Sequence, residues 1–132
     1  MANSLAVLIV ETELPIMMTC SESTGIAKGQ CLQLSDPLTV AATSGANAVY
    51  GGIAAEEKIA SDGKTKIAVY RGGIFKVESG TSGVTTGYPC IIEANNEFKN
   101  SAAADSDVGR VWGQALETAT DGETFLMELG RR

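Results

Sequence analysis

A pattern of glycine turns and short apolar runs occurs twice in this chain, and this recurrence limits the possible folds more than any other feature. Residues 25–34, which begin Gly25-Ile26, match residues 83–92, which begin Gly83-Val84, in their glycine and apolar positions, 58 residues later. Turn, strand, loop, strand, Asp-Gly turn and strand follow in the same order in both halves. This order predicts an internal duplication, although two copies are too few for a solenoid.

Three further matches extend the recurrence towards the end of each half. They pair Gly51-Gly52-Ile53-Ala54 with Gly109-Arg110-Val111-Trp112, Asp62-Gly63 with Asp121-Gly122, and Ile67-Ala68-Val69 with Leu126-Met127-Glu128. The first keeps the offset of 58 residues and the other two shift it by one. Trp112, between small residues, is expected to fill a core or an interface.

The stretch from Lys66 to Glu78 separates the two copies, and we predict that it forms two strands. Ile67 and Val69 share one face of the first strand, and Phe75 and Val77 share one face of the second. This period of two residues is typical of a β-strand. The pair Gly72-Gly73 between the strands predicts a bulge or a sharp bend.

We therefore predict an all-β fold, either a small β-barrel or a two-sheet sandwich. Its two similar halves would span about residues 16–71 and 74–129, and closure would remove exposed sheet edges. As domains, we expect an N-terminal strand or extended arm over residues 1–18 and a single β-barrel domain over residues 19–132. The glycines expected at structural turns are Gly25, Gly29, Gly63, Gly72, Gly73, Gly83, Gly87 and Gly122.

The apolar run Leu5–Val10 has no obvious partner strand nearby, so two interpretations stay open. It forms either an ordinary edge strand or an apolar arm that lies against a neighbouring subunit. Pro15 follows soon after, and proline within strands is confined to edges and bulges. The segment up to Met18 is therefore our candidate for a contact with another subunit.

Charge and composition argue against several classes of function. Sixteen acidic and ten basic residues give a net charge of −6, which disfavours binding to the phosphates of nucleic acid. No apolar run approaches the roughly 18 residues of a membrane span, and no secretion signal is evident. Cys20, Cys31 and Cys90 lack metal-site spacing, so we expect free, buried or half-buried thiols in a protein made in a reducing cytoplasm.

The chain offers little for catalysis. It contains no histidine, so triads of the Ser-His or Cys-His kind cannot form within it. A lysine-based or carboxylate pair stays open. Asp105 and Asp107 could contact a cation, but the rest of a calcium-loop pattern is missing, which favours a solvated loop. We predict no enzyme activity, no metal and no cofactor.

Several of these motifs together resemble a family of small tailed-bacteriophage capsid decoration (cement) proteins. The resemblance spans roughly residues 23–129 and depends mainly on glycine turns. It is carried by Gly25-Ile26-Ala27-Lys28-Gly29-Gln30, Gly52-Ile53-Ala54, Asp62-Gly63, Ala68-Val69-Tyr70-Arg71-Gly72-Gly73-Ile74-Phe75 and Val108-Gly109-Arg110-Val111.

The resemblance implies a compact β-barrel that sits on the capsid surface of a virion after synthesis in the host cytoplasm. Its partner would be the major capsid protein, and it would form a homotrimer on the shell and clamp neighbouring capsid subunits. No nucleic acid, membrane or cofactor is implied. The candidate contacts with the capsid or a neighbouring subunit are Leu5, Val7, Leu8, Ile9, Val10, Ile16, Met17 and Met18.

Two other classes of function stay open. One is a surface-displayed β module that binds a glycan or a host surface, for which an exposed aromatic cluster would be support. The other is a small-barrel domain of an enzyme, for which a pocket with perturbed acidic groups would be support.

Overall fold

The computed structural model describes residues 5–46, 48–94, 96–101 and 109–130. Within these ranges no helix has the length and apolar character needed to cross a lipid bilayer. The strands of the described part are β1 (Val7–Val10), β2 (Ile16–Thr19), β3 (Cys31–Asp36), β4 (Thr39–Ala42), β5 (Tyr50–Ala54), β6 (Lys66–Tyr70), β7 (Gly73–Ser79), β8 (Pro89–Ala94), β9 (Glu97–Asn100), β10 (Gly113–Ala115) and β11 (Thr124–Leu129).

The strands form two closed barrels of five strands, one in each half of the chain. In the first barrel the order is β2-β4-β3-β5-β6. In the second, β7, β11, β10, β8 and β9 follow one another, and a parallel pairing of β9 with β7 closes the ring. The first barrel has the same parallel pairing, between β2 and β4. The predictions of an all-β fold and of two similar halves are confirmed, with a barrel in each half.

Equivalent hydrogen bonds show which residues of the two barrels correspond. The Gly29 N–H donates to Ala54 O at 2.9 Å, and the Gly87 N–H donates to Ala115 O at 2.7 Å. Gly29 and Gly87 are 58 residues apart, as predicted, but Ala54 and Ala115 are 61 apart. The predicted match of Ala54 to Trp112 is therefore wrong by three residues. The chain takes three more residues from the end of β9 to Ala115 than from the end of β4 to Ala54.

The predicted match of Ile67 to Leu126 is wrong by one residue. Ile67 lies opposite Met18 in the first barrel, and Phe125 lies opposite Val77 in the second. Ile67 therefore corresponds to Phe125 and not to Leu126. Both corresponding side chains point into a core, whereas Leu126 is only partly buried.

The larger of two hydrophobic cores is shared by both barrels. It combines Phe75, Phe98 and Phe125 of the second barrel with Tyr50 and Ile53 of the first. The smaller core lies within the first barrel and contains Met18, Cys20, Ile26, Leu32, Val40, Ala54, Ile67 and Val69. Because one core extends across both halves, burial of apolar surface holds the barrels together.

Trp112 fills the boundary between the barrels. Its side chain is fully buried and its ring packs edge-on against Tyr50, at a centroid distance of 5.2 Å, and against Phe98, at 5.8 Å. Its Nε1 donates a hydrogen bond to Ala48 O at 3.2 Å, which satisfies the buried indole N–H. The expected core or interface position of Trp112 is confirmed.

The N-terminal segment runs antiparallel along the central stretch of the chain. In this pairing Leu8 of β1 lies opposite Phe75 of β7, and Ile16 of β2 lies opposite Val69 of β6. Within the chain, Val7–Val10 forms β1, an edge strand on the second barrel; a contact of this segment with a neighbouring subunit stays a prediction. β2, which the sequence analysis assigned to the arm, is a strand of the first barrel.

Six of the eight predicted turn glycines have a positive φ, the region that favours glycine. Gly25 and Gly72 are the two whose φ is not positive. At Gly72 a Cβ would meet the carboxylate of Glu13, an exposed side chain that can move aside, so neither φ nor space requires glycine there.

Candidate interaction surface

Exposed apolar side chains are concentrated in the N-terminal segment. Of the twelve large apolar side chains that are exposed in the described part of the chain, seven lie between residues 5 and 17. Scattered exposed apolar residues are normal, but a group of them is typical of an interaction surface. The group, here called the N-terminal apolar surface, consists of Leu5, Val7, Ile9, Val10, Leu14, Ile16 and Met17.

Six of the eight predicted contact residues belong to this surface, and two do not. Leu8 is partly buried and packs against the shared core, and Met18 is only 4% exposed, inside the first barrel. Met18 is therefore not accessible to a partner in the folded barrel, whereas Leu8 keeps part of its side chain exposed. The sequence analysis missed Leu14, which is 75% exposed. It stands alone between Glu13 and Pro15, so no apolar run marked it.

The loop between β1 and β2 is fastened to the central stretch. Glu11 Oε2 accepts a hydrogen bond from the Tyr70 hydroxyl at 3.2 Å, and Glu13 packs against Gly72. Burial and the neighbouring Glu11 carboxylate raise the pKa of Tyr70, so the phenol stays protonated and able to donate. Both carboxylates of the loop are thus turned back onto their own chain, beneath the exposed Leu14.

Both strands of this segment have an edge with little backbone pairing. Among the described residues, β1 has β7 as its one neighbour in the sheet. One edge of β2 pairs along its whole length with β6. At the other edge, the register pairing among the described residues is between Thr19 and Thr39 of β4. Open edges of this kind are where strands of other chains add.

An ion pair in the described part of the chain involves a buried lysine. Lys58 is 3% exposed, and its Nζ donates to Glu22 O at 2.7 Å, to Ile59 O at 3.1 Å and to Asp62 Oδ1 at 3.2 Å. All three ammonium hydrogens are therefore used, which is the pattern of a structural lysine.

Metal-binding and glycan-binding features are scarce in the described residues. No group of three or more His, Cys, Asp or Glu side chains there could hold a metal ion, and Asp105 and Asp107 lie outside the described ranges. A shallow groove between residues 81–85 and 118–121 is lined by hydroxyl and small side chains, without an aromatic ring. Tyr88 is the one exposed aromatic side chain in the described part, so no aromatic cluster supports glycan binding there.

Comparison with solved structures shows what the fold is similar to. The chain is similar to the N base of the head fibre gp8.5 of bacteriophage phi29, with a TM-score of 0.54 over 88% of this chain and 92% of that chain. The two sequences are 13% identical, so the similarity concerns the fold. A scan against protein-family models and a search of curated proteins both find no match for this chain.

Proposed function

We propose that this chain is a structural, non-enzymatic protein of a bacteriophage virion. In this proposal it binds the outer surface of the capsid and stabilises the shell by clamping neighbouring major-capsid subunits, as a homotrimer. The N-terminal apolar surface carries the proposal, because seven of the twelve exposed large apolar side chains in the described part of the chain lie in it. The fold similarity to a phage head-fibre base and the glycine-turn resemblance to decoration proteins support the virion as the setting.

The mechanism follows from mass action. A protein that binds only the assembled lattice lowers the free energy of that lattice relative to its separated subunits. Many copies act together, and each copy that bridges two subunits makes the second contact effectively intramolecular. The two barrels suit this role because their shared core makes them a stiff spacer. No reaction is needed, which agrees with a chain without histidine.

Co-sedimentation with purified shells of a tailed phage tests the proposal. We expect saturable binding to mature shells and its loss in a Val7→Lys, Leu14→Lys double variant. Both side chains are more than half exposed, so the variant should fold, whereas a charge at Leu8 would enter the core. Ile59→Lys is the matched control, because Ile59 is 58% exposed elsewhere on the molecule. Full binding by the double variant would contradict the assignment of this surface.

A further inference from the structure

The two barrels differ in how completely their corresponding strands are covered. β2 of the first barrel corresponds to β7 of the second. β2 pairs antiparallel with β6, the last strand of its barrel, and parallel with β4. In the same way, β7 pairs antiparallel with β11 and parallel with β9. In the second barrel, β1 covers the part of β7 that β9 does not reach. In the described part of the chain, no strand covers the corresponding part of β2.

Corresponding side chains on the two strands also differ in exposure. Ile16 lies opposite Val69, and Phe75 lies opposite the corresponding residue Met127. Ile16 is on the same face of β2 as the buried Met18, so it points towards the barrel interior. Nevertheless it is 46% exposed, whereas Phe75, which lies opposite Leu8 of β1 and against the Tyr70 ring at 5.6 Å, is 1% exposed. An inward-pointing apolar side chain left this open indicates a position that a further strand would fill.

We propose that this position beside β2 is filled by β1 of a second copy of the same chain. The second barrel indicates β1 as the partner, because β1 fills the corresponding position there with its β7-facing edge; the proposed contact uses its other edge. β1 is extended, carries no charge and keeps one edge open in the described structure. Pairing its open edge with β2 of another copy would satisfy two open edges with one contact.

The surroundings of the two strands are compatible with this pairing. Charged side chains along an edge usually block strand addition. Here Glu11 bonds to Tyr70 and Glu13 packs against Gly72, so both carboxylates are drawn away from the edge. Ile9 has no register partner on β7, because the strand bulges there.

The contact joins β1 of one copy to β2 of the next, so it closes either as a two-fold dimer or as a ring, and a ring of three is the form that agrees with the proposed homotrimer. It uses the backbone edges of the segment, and outward-facing side chains such as Val7 and Leu14 remain for a shell. The inference concerns self-assembly of the purified chain and does not depend on binding to a capsid.

Solution mass is the first test. Light scattering of the full chain over a range of concentrations should show reversible self-association. Ile16→Lys and Met17→Lys should each weaken it at least tenfold, and Ile59→Lys should leave it unchanged. Fluorescence of the single buried Trp112 checks that each variant is folded. A monomer at every concentration, or association that both β2 variants leave intact, would overturn the inference.

Cross-linking tests which strands meet. Ile9→Cys places a thiol on β1 and Met17→Cys places one on β2, while the three native cysteines are buried and unbonded. Under mild oxidation, a mixture of the two variants should give a disulfide-linked dimer that contains one chain of each. Ile9→Cys alone should give far less. Efficient linkage of Ile9→Cys to itself would show β1 against β1 and would refute the proposed pairing.

Discussion

Asn96 holds the two barrels together through one buried acceptor, and its removal should be costly. It lies in the β8–β9 turn at φ 64° and is 1% exposed. Its Oδ1 accepts hydrogen bonds from the Cys31 N–H at 2.9 Å and from Gln30 Nε2 at 3.3 Å, both in the first barrel. Its Nδ2 has no partner in the described structure, so the acceptor is what a truncation removes.

The expected loss follows from two separable effects. Asn96→Ala leaves the buried Cys31 N–H unpaired, which costs about 1–3 kcal/mol. Alanine is also less stable than asparagine at a left-handed φ, by roughly 1 kcal/mol. We therefore expect the free energy of unfolding to fall by about 2–4 kcal/mol in Asn96→Ala. Asn96→Gly relieves the backbone strain but not the unpaired N–H, so its loss should be about 1–3 kcal/mol.

Urea unfolding followed by Trp112 fluorescence and by circular dichroism measures these losses. Asn100→Ala is the control, because Asn100 Oδ1 accepts a similar bond from the Thr85 N–H at an exposed site, where water can replace it. It should lose less than about 1 kcal/mol. If Asn96→Ala unfolds within roughly 0.5 kcal/mol of the unmodified chain, the buried acceptor does not join the barrels as argued.

Three further predictions follow. Gly29 and Gly87 have nearly the same φ, 89° and 88°, but a Cβ at Gly29 would meet the N-terminal segment, whereas one at Gly87 would meet open space. Gly29→Ala should therefore lower the urea midpoint clearly more than Gly87→Ala. Equal losses in the two variants would contradict the contact between Gly29 and the N-terminal segment. All three thiols are buried, and burial raises the pKa of Cys90 to about 12, so Ellman's reagent should label none in the folded protein and three in urea. Partial burial opposes ionisation of Glu93, but hydrogen bonds, chiefly from Ser82, hold its pKa below the ordinary value of 4.5. Its carboxylate therefore stabilises the fold above pH 4.5, and this contribution is lost as the pH falls through the lowered pKa. Glu93→Gln should lower the urea midpoint at about pH 6 and flatten the decline of the midpoint towards about pH 3.5. An equal decline in the variant and the unmodified chain would argue against a role for this carboxylate.

Much of the fold could be predicted because its signals are local. Alternation in the central stretch placed β6 and β7, and the bend at Gly72-Gly73 lies between them. The recurrence of glycine turns predicted two similar halves. The alignment failed at Ala54, because an insertion after β9 changes the offset where few residues are identical. Short, glycine-rich matches cannot locate such an insertion, whereas hydrogen bonds can.

The candidate surface could be predicted only in part. Apolar composition marked the N-terminal segment, but exposed and buried residues alternate along it in a way that depends on its partner strand. Leu8 is partly buried because it faces Phe75 in β7, and Met18 is buried because it faces Ile67 in β6. Leu14 was missed because its exposure comes from the loop that Glu11 and Tyr70 fasten.

By itself, then, the sequence determined the strand character, the turns, the duplication and the absence of histidine, since each depends on residue identity or on neighbours in the chain. The tertiary structure alone decided that each half closes into its own barrel, that Trp112 joins the two, and that edges of β1 and β2 stay open. These outcomes depend on pairing between residues far apart in the chain. A strand edge is open or closed according to the position of other strands, which no local pattern encodes.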